Sequence, residues 1–387
     1  MTTIQLSVTV TRVTRSLYPL ALGNFAVGTG MFVTAGLVEP IAHDLDVSPA
    51  AAGQMMTVFA LSYAVLSPVL AAVTARLSRR TVLIMAMVFF VVANVLSALA
   101  PTYALVLVTR VLAAVGAAMF TPTASAVASA LSPPERRGRA LALVMGGVTV
   151  AAAIGVPLGT WLGATEWRAT LWAVAGLGVV GLVGVLAFVP HLRLEASSRI
   201  RDRFAPLADR ALLAVLLTQL LMFAAAFSAY TYLDSLIDVP LPAVLWAWGF
   251  GAVIGNHFGG RLTDLYGPRR MILLGLAGAT LLMALAPVAN LALPVALVWS
   301  FLWGGLGWLV GPSQLYRTVT AVPGNVPVAL GLLSSSQYAG LFVAGMAGGL
   351  ALEWYGRAGV IVLSSVIGLV ALVFTLATYR EAAVPVR

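Results

Sequence analysis

Twelve long apolar stretches, separated by short polar connectors, constrain this chain more than any other feature of its sequence. A helix needs about 20 apolar residues to cross roughly 30 Å of hydrocarbon. Only 9% of the residues are charged, whereas an ordinary soluble domain carries roughly a quarter, so a soluble fold could not bury this much apolar surface. The sequence therefore predicts an all-α membrane protein with twelve transmembrane helices. The predicted spans are 17–40, 50–73, 81–99, 103–127, 139–163, 169–190, 211–233, 241–259, 271–289, 292–316, 328–352 and 358–379.

The arginines predict how these spans are oriented. All 22 basic residues are arginine, and 19 of them lie before the first span, in alternate connectors or after the last span. Arg168 and Arg357 lie on the other side, and Arg110 lies inside the fourth span. Because short arginine-rich loops stay in the cytoplasm, we expect the N-terminus and the C-terminus both to be cytoplasmic.

Composition and residue spacing disfavour several classes of function. The net charge of +9 would suit nucleic-acid binding, but the arginines lie in connectors between apolar spans, so no nucleic-acid partner is expected. The chain has no cysteine, and His43, His191 and His257 lie in unrelated segments, so neither a metal nor another cofactor is expected. The sequence has no phosphate-binding loop or catalytic constellation, which predicts that the protein is not an enzyme.

The longest polar interruption, residues 191–210, divides the chain into two sets of six spans. We predict an N-terminal six-helix bundle at 1–190, a cytoplasmic linker at 191–210 and a C-terminal six-helix bundle at 211–387. Residues 71–80 and 260–270 are related segments, 189 residues apart, and each ends in paired arginines. A duplicated six-helix unit explains this relation, and such repeats place a substrate site near the bilayer midplane.

The better preserved of these segments reads Gly260-Arg-Leu-Thr-Asp264-Leu-Tyr-Gly267-Pro-Arg269-Arg270. Gly260 would let two helices approach closely, and Gly267 would permit a tight turn. Asp264 can pair with Arg269 or Arg270, or accept hydrogen bonds from a neighbouring helix N-terminus. We predict that these five residues form a cytoplasmic gate that latches the outward-facing state. The alternative is a simple loop turn whose arginines only set the topology.

On these residues the chain resembles the major facilitator superfamily, and within it the drug:proton antiporter branch that includes bacterial arabinose, purine and chloramphenicol exporters. The resemblance covers nearly the whole chain and implies two pseudo-symmetric halves. Arg110, in the fourth span, resembles the family's buried arginine. The chain departs from the pattern at Ala75, which replaces the first-half aspartate, and at Met31, where many of these exporters carry a carboxylate.

A third motif lies in the fifth span, where Gly155, Pro157 and Gly159 resemble the glycine and proline motif of the antiporter branch. Small residues allow close helix packing, and a proline removes one helical hydrogen bond and produces a kink. This antiporter motif favours an exporter, although glycine and proline are also common in membrane helices generally.

The family architecture implies a substrate pocket lined by spans one, two, four, five, seven, eight, ten and eleven. Arg110 would bind an anionic group or tune a proton site there, unless it snorkels to the interface. Trp299 and Trp303 are four residues apart, on one helix face, which suits a planar or amphipathic substrate. Packing between helices or against lipid would explain such aromatics equally well. The candidate substrate-binding residues are Arg110, Gln54, Tyr63, Gln219, Tyr230, Tyr232, Trp299, Trp303, Gln337 and Tyr338.

Three titratable residues are candidates for proton coupling. Glu39 and Asp234 end the first and seventh spans, where partial burial would raise a carboxyl pKa towards neutrality. His257 lies near the cytoplasmic end of the eighth span and has the side chain that titrates near physiological pH. Solvated helix-end acids and an ordinary interfacial histidine are the alternatives.

Together these features predict a monomeric exporter in the bacterial inner membrane that moves a small amphipathic organic molecule, such as a drug-like compound, sugar or nucleoside. Transport would proceed by alternating access in exchange for protons. One proton crossing 100 mV supplies about 2.3 kcal/mol, enough for a roughly 50-fold solute gradient. A proton-independent sugar or nucleoside facilitator is one alternative, and a membrane sensor or binding protein that transports nothing is another.

Overall fold

The computed structural model describes residues 2–133, 137–192, 208–322 and 326–379, and the chain in these ranges is helical almost throughout. No strand occurs within them, and a helix overlies each predicted span, so the predicted all-α class is confirmed. Most of the predicted linker lies outside the described residues. So do seven of the arginines used to predict orientation, namely Arg136, Arg193, Arg199, Arg201, Arg203, Arg380 and Arg387.

Helical segments before the linker follow the first six predicted spans. They are α1 (Thr2–Phe32), a 3₁₀ turn (Val33–Leu37), α2 (Val38–Asp44), α3 (Pro49–Val73), α4 (Arg79–Leu99), α5 (Tyr103–Leu131), α6 (Arg137–Val150), a π turn (Ala151–Gly155), α7 (Val156–Gly163) and α8 (Trp167–Phe188). Serine side chains begin two of them, because Ser48 and Ser78 accept hydrogen bonds from the free amides of the first turns of α3 and α4.

Helical segments after the linker follow the remaining predicted spans. They are α9 (Arg210–Thr231), α10 (Leu233–Leu236), α11 (Leu241–Tyr266), α12 (Pro268–Ala284), a 3₁₀ turn (Ala286–Asn290), α13 (Leu293–Ala321) and α14 (Val326–Thr378). The 53 residues of α14 cover the last two predicted spans, which are separated at Gly356, where φ is +62°.

Nine of the described helical stretches are long and apolar enough to cross a membrane. One of them, Val328–Thr378, contains two predicted spans. Helices α11 and α12 overlie the eighth and ninth predicted spans but are not among the nine, and α12 has only 17 residues before a 3₁₀ turn continues it. The protein is a multi-pass membrane protein, and the count of twelve spans stays a prediction.

Helix packing follows a similar pattern before and after the linker. In the first part α1 packs against α6, and both α3 and α4 pack against α5. In the second part α9 packs against α14, and both α11 and α12 pack against α13. Corresponding spans therefore contact corresponding partners, as a duplicated six-helix unit would give. The two parts meet where α3 packs against α14 and where α11 packs against the π turn and α7.

Candidate transport pathway

The helix bundle has two ends, which we name after one residue at each. The Glu39 end holds Arg168 and Arg357, the two arginines that the sequence assigns to the extracellular side. The Arg269 end holds the turn at Gly267 between α11 and α12. At Gly267 the backbone has φ +82°, a conformation that favours glycine, so this residue both ends α11 and starts α12.

Hydrogen bonds join the two parts of the protein at the Glu39 end. Ser235 donates its hydroxyl to Glu39 Oε1 at 2.8 Å, which links α10 to α2. Thr231, at the end of α9, lies 3.1 Å from the Met56 sulfur on α3. These contacts join α2 and α3 to α9 and α10, so this end is closed.

A second set of contacts, which we call the Tyr232 seal, consists of Gln54, Tyr232 and Gly345. The Tyr232 hydroxyl donates to the Gly345 carbonyl oxygen at 2.7 Å, and Gln54 Nε2 donates to the same oxygen at 3.2 Å. The Tyr232 ring packs on Gly53, where an added Cβ would lie 2.3 Å from the ring. Gln54 and Tyr232, predicted to bind substrate, thus lie in the contact between α3 and α14 that closes this end.

Nearer the midplane, Tyr63 of α3 stacks on Tyr338 of α14, with ring centroids 3.6 Å apart and planes inclined by 16°. Both rings are buried. Among the described residues, no further ring contact joins α3 to α14 towards the Arg269 end.

Five aromatic residues from α1, α9, α11 and α13 meet inside the bundle, and we call them the aromatic cluster: Phe32, Phe227, Tyr230, Trp248 and Trp303. Tyr230 lies 4.6 Å from Trp248 and 6.4 Å from Trp303, centroid to centroid. Phe32 stacks on Phe227 at 5.6 Å, which brings α1 against α9. The Tyr230 hydroxyl is buried and has no hydrogen-bond partner among the described residues, so it is available to a polar group of a ligand.

Sequence reasoning had singled out Tyr230 and Trp303 of this cluster and missed the other three residues. Trp248 follows Trp246 at a spacing of two and points inward, whereas Trp246 contacts Phe250 along the same helix. Only the three-dimensional packing distinguishes the two tryptophans. Phe32 lies in the glycine-rich first span, next to Met31, where the family pattern predicts a carboxylate that this chain lacks.

The remaining predicted pocket residues are more dispersed. Trp299 stacks on Trp303 at 5.4 Å but donates its indole N–H to the Leu282 carbonyl oxygen, which turns it towards α12. Gln219 of α9 is buried, and its Oε1 has no partner among the described residues. Gln337 is half-buried beside Tyr338. The structure therefore brings Trp299 to the edge of the aromatic cluster and leaves the two glutamines outside it.

Arg110 lies inside the first part of the protein and is only 2% exposed. Its Nη2 donates to Asn94 Oδ1 at 3.1 Å and to Ser97 Oγ at 2.9 Å, and its Nη1 lies 3.5 Å from the Gly30 carbonyl oxygen. Its Nε is buried without a hydrogen bond, and no carboxylate pairs with the guanidinium in the described part of the chain. Arg110 therefore points inward instead of snorkelling, and neutral oxygens alone offset its charge.

The antiporter motif lies where α7 packs on the first span. A Cβ at Gly155 would lie 2.1 Å from Thr29 Oγ1, and one at Gly159 would lie 2.6 Å from a methyl group of Val33. The π turn ends at Gly155, two residues before Pro157, which has no amide hydrogen to donate. This motif therefore gives the fifth span its irregular backbone and its close approach to the first span.

Two of the proton-coupling candidates, Asp234 and Glu39, come together at the closed end. Glu39 accepts the hydrogen bond from Ser235, the residue after Asp234. Burial, and secondarily the charge of Glu39, raises the pKa of Asp234 to about 6. His257 is not part of this pair. It is exposed on α11, where its ring contacts the Phe258 ring edge-to-face.

The predicted gate residues lie together at the Arg269 end, where Asp264 does not form, with any described residue, the ion pair expected of a latch. A Cβ built on Gly260 would meet nothing within 4 Å, so no helix packs closely against it. Asp264 is exposed and makes no salt bridge among the described residues. Arg269 and Arg270 are exposed at the start of α12. An open gate is consistent with a bundle closed at its Glu39 end.

Comparison with known proteins agrees with this architecture. Residues 20–245 match the sequence profile of the Major Facilitator Superfamily. The chain is 33% identical to the inner membrane transport protein YdhP of Escherichia coli (strain K12) over 87% of each chain. It is 35% identical to the chloramphenicol resistance protein of Streptomyces lividans, over 81% of this chain and 83% of that protein.

The same comparison extends to solved structures. The nucleoside transporter NupG superposes with a TM-score of 0.76 at 14% identity, over 95% of this chain and 100% of NupG. At that identity the likeness shows the fold alone. The profile match and the sequence relatives assign the family. This chain belongs to the major facilitator superfamily, as a multi-pass transport protein and not an enzyme.

Proposed function

We propose that this transporter exports a small amphipathic organic molecule across the bacterial inner membrane in exchange for protons. The proposal is carried by one observation: a buried aromatic cluster with an unpartnered hydroxyl lies below an end whose closure brings two carboxyl groups together. The named relatives that confer chloramphenicol resistance or lie in the inner membrane support the export direction and the location.

The aromatic cluster suits a ligand with a flat apolar surface and a polar group. Its tryptophan and phenylalanine rings offer faces for stacking, which is worth about 0.5–1.5 kcal/mol per ring pair beyond area burial. The Tyr230 hydroxyl adds one directional hydrogen bond. Because Tyr230 and Trp303 come from after the linker and Phe32 from before it, rocking of the two parts would form and dismantle the site.

The carboxyl pair suits proton coupling. Closing the Glu39 end buries Asp234 beside Glu39, and both burial and repulsion between carboxylates favour its protonated form. Closure therefore takes up a proton from the solution that the open end faced. Exchange requires that substrate binding in the closed state then displace this proton towards the Arg269 end, before the Glu39 end reopens with substrate. The missing carboxylate at Met31 makes this pair the stronger candidate.

Purified protein in liposomes that enclose a pH-sensitive dye tests both parts of the proposal. An imposed proton gradient and a panel of antibiotics, sugars and nucleosides would reveal which compounds move protons. We expect substrate-dependent proton movement that disappears in Asp234→Asn and Glu39→Gln. Asp238→Asn is the matched control, because Asp238 lies at the same end but hydrogen-bonds Arg357 at 2.8 Å and is exposed.

Two other outcomes favour the alternatives. Substrate flux without proton movement would reject the exchange and favour a sugar or nucleoside facilitator. Saturable binding without any flux would reject transport of that compound class and favour a sensor or binding protein. Binding, flux and proton movement, measured in one preparation, therefore distinguish a proton exchanger, a facilitator and a protein that only binds.

A further inference from the structure

A cavity of about 1070 Å³, which we call the basic pocket, opens at the Arg269 end between α9, α12, α13 and α14. Four arginines line it: Arg210, Arg269, Arg270 and Arg317. No acidic side chain lines it among the described residues. The aromatic cluster and the carboxyl pair lie elsewhere, so neither substrate binding nor proton coupling as proposed above uses this cavity.

Two of the four arginines lie against the same aromatic ring. The Arg317 guanidinium lies 4.6 Å from the centre of the Tyr379 ring, and that of Arg269 lies 5.7 Å from the same centre. The two cations therefore approach one ring from within the same cavity. Arg317 Nη1 also donates to Gln314 Oε1 at 3.1 Å, which holds the guanidinium beside α13. Positive charges that line one cavity favour a bound anion between them.

The uncharged part of the lining fits the same kind of ligand. Tyr316 contributes a hydroxyl group, whereas the Thr320 and Thr378 hydroxyls donate to main-chain carbonyls of their own helices. Apolar lining comes from side chains such as Val215 and Leu273. Arginine forks and hydroxyl donors recognise phosphate oxygens, whereas an apolar floor accommodates glycerol and acyl carbon. The pocket lies at the ends of apolar helices, the depth at which phospholipid headgroups occur.

We propose that the basic pocket binds a phosphate group, carried either by an anionic phospholipid or by a free phosphate. The nearest acid in sequence, Asp209, does not compete with such a ligand, because its carboxylate caps α9 by accepting from the Ala211 and Leu212 amides. Since α12 starts at the gate residues, a ligand held here contacts the gate of the transporter directly.

Native mass spectrometry of the delipidated full-length protein tests the proposal with two lipids, dioleoylphosphatidylglycerol and dioleoylphosphatidylcholine. We expect the anionic lipid to bind more tightly to the unmodified protein. In the double variant Arg210→Gln/Arg317→Gln its affinity should fall about 30-fold, because each arginine contributes a similar attraction to an anionic headgroup. The double variant Arg76→Gln/Arg261→Gln removes two exposed arginines outside the pocket and should bind as the unmodified protein does.

A thermal-shift titration with inorganic phosphate distinguishes the two sources of the phosphate group. Stabilisation by phosphate, lost in Arg210→Gln/Arg317→Gln, would support a free phosphate, and stabilisation by phosphatidylglycerol alone would support a lipid.

Equal lipid binding by the two double variants would overturn the proposal, as would the absence of any preference for phosphatidylglycerol together with no response to phosphate. If Arg317→Gln prevents folding, Arg210→Gln alone should weaken the anionic lipid about fivefold, because Arg210 is exposed at the start of its helix.

Discussion

The Tyr230 hydroxyl oxygen and Arg110 Nε are among the buried polar atoms that lack hydrogen-bond partners in the described part of the chain. A buried polar group without a partner costs about 1–3 kcal/mol of stability. Close packing of the aromatic rings around Tyr230 would be satisfied equally well by phenylalanine, so packing alone does not explain the hydroxyl. A ligand that accepts or donates a hydrogen bond there would explain it.

Replacing Tyr230 by phenylalanine separates ligand binding from stability. We expect Tyr230→Phe to leave thermal stability unchanged or raise it by about 1 kcal/mol, and to weaken substrate affinity about tenfold. Quenching of tryptophan fluorescence would report binding, since Trp248 and Trp303 contact Tyr230. Tyr355→Phe, at an exposed position of the Glu39 end, should change neither quantity. A loss of stability without a loss of affinity would show that the hydroxyl serves the fold.

The pKa of Asp234 predicts how the two conformations depend on pH. Its value of about 6 in the closed state exceeds the ordinary value of 3.8, so the closed state holds more protons between these values. Closure of the Glu39 end should therefore strengthen as pH falls from about 7 to 4 and weaken as pH rises through 6. Distances between spin labels across this end would measure the change. Asp234→Asn should abolish it and Asp238→Asn should not, whereas a response that survives Asp234→Asn would implicate another group.

At the scale of the element, the backbone is irregular at two predicted motifs and at the predicted connector between the last two spans. Pro157 explains the π turn before α7, and Gly267 explains the sharp turn between α11 and α12. The break within α14 occurs at Gly356, with φ +62° and ψ −156°, a region open almost only to glycine. This glycine lets the chain reverse between its last two apolar stretches.

Substitution of two glycines in α14 measures the importance of that break. Gly356→Ala should destabilise the protein by about 1–3 kcal/mol, because the Cβ of alanine makes this backbone conformation sterically unfavourable. Gly331→Ala is the matched control: a Cβ meets nothing within 4 Å at either position, but Gly331 lies in regular helix. There alanine should be neutral or stabilising by up to about 1 kcal/mol. Thermal unfolding in detergent compares the two, and equal effects would contradict the assigned backbone strain.

For the whole molecule, hydropathy predicts most of the fold because spanning a bilayer requires long apolar helices whatever their partners. Hydropathy does not predict which residues are buried inside the bundle or which helices they contact, because lipid-facing and buried positions are both mostly apolar. Sequence pattern therefore could not distinguish Trp248, which joins the aromatic cluster, from Trp246, which does not. It could not show either that Gln54 and Tyr232 lie in a closing contact, because that depends on which end of the bundle is shut.

Alternating access requires that the Glu39 end open, and the chain offers a direct test because it contains no cysteine. A Cβ built on Gly345 lies 3.2 Å from the Thr57 Cβ, close to the spacing of a disulfide. We expect the double variant Thr57→Cys/Gly345→Cys to cross-link under oxidation, to lose substrate flux to the level of empty liposomes and to regain it on reduction. Each single variant should be insensitive to oxidant. Flux that persists in the cross-linked protein would show that substrate passes without parting α3 from α14, and would reject rocking of the two parts as the transport motion.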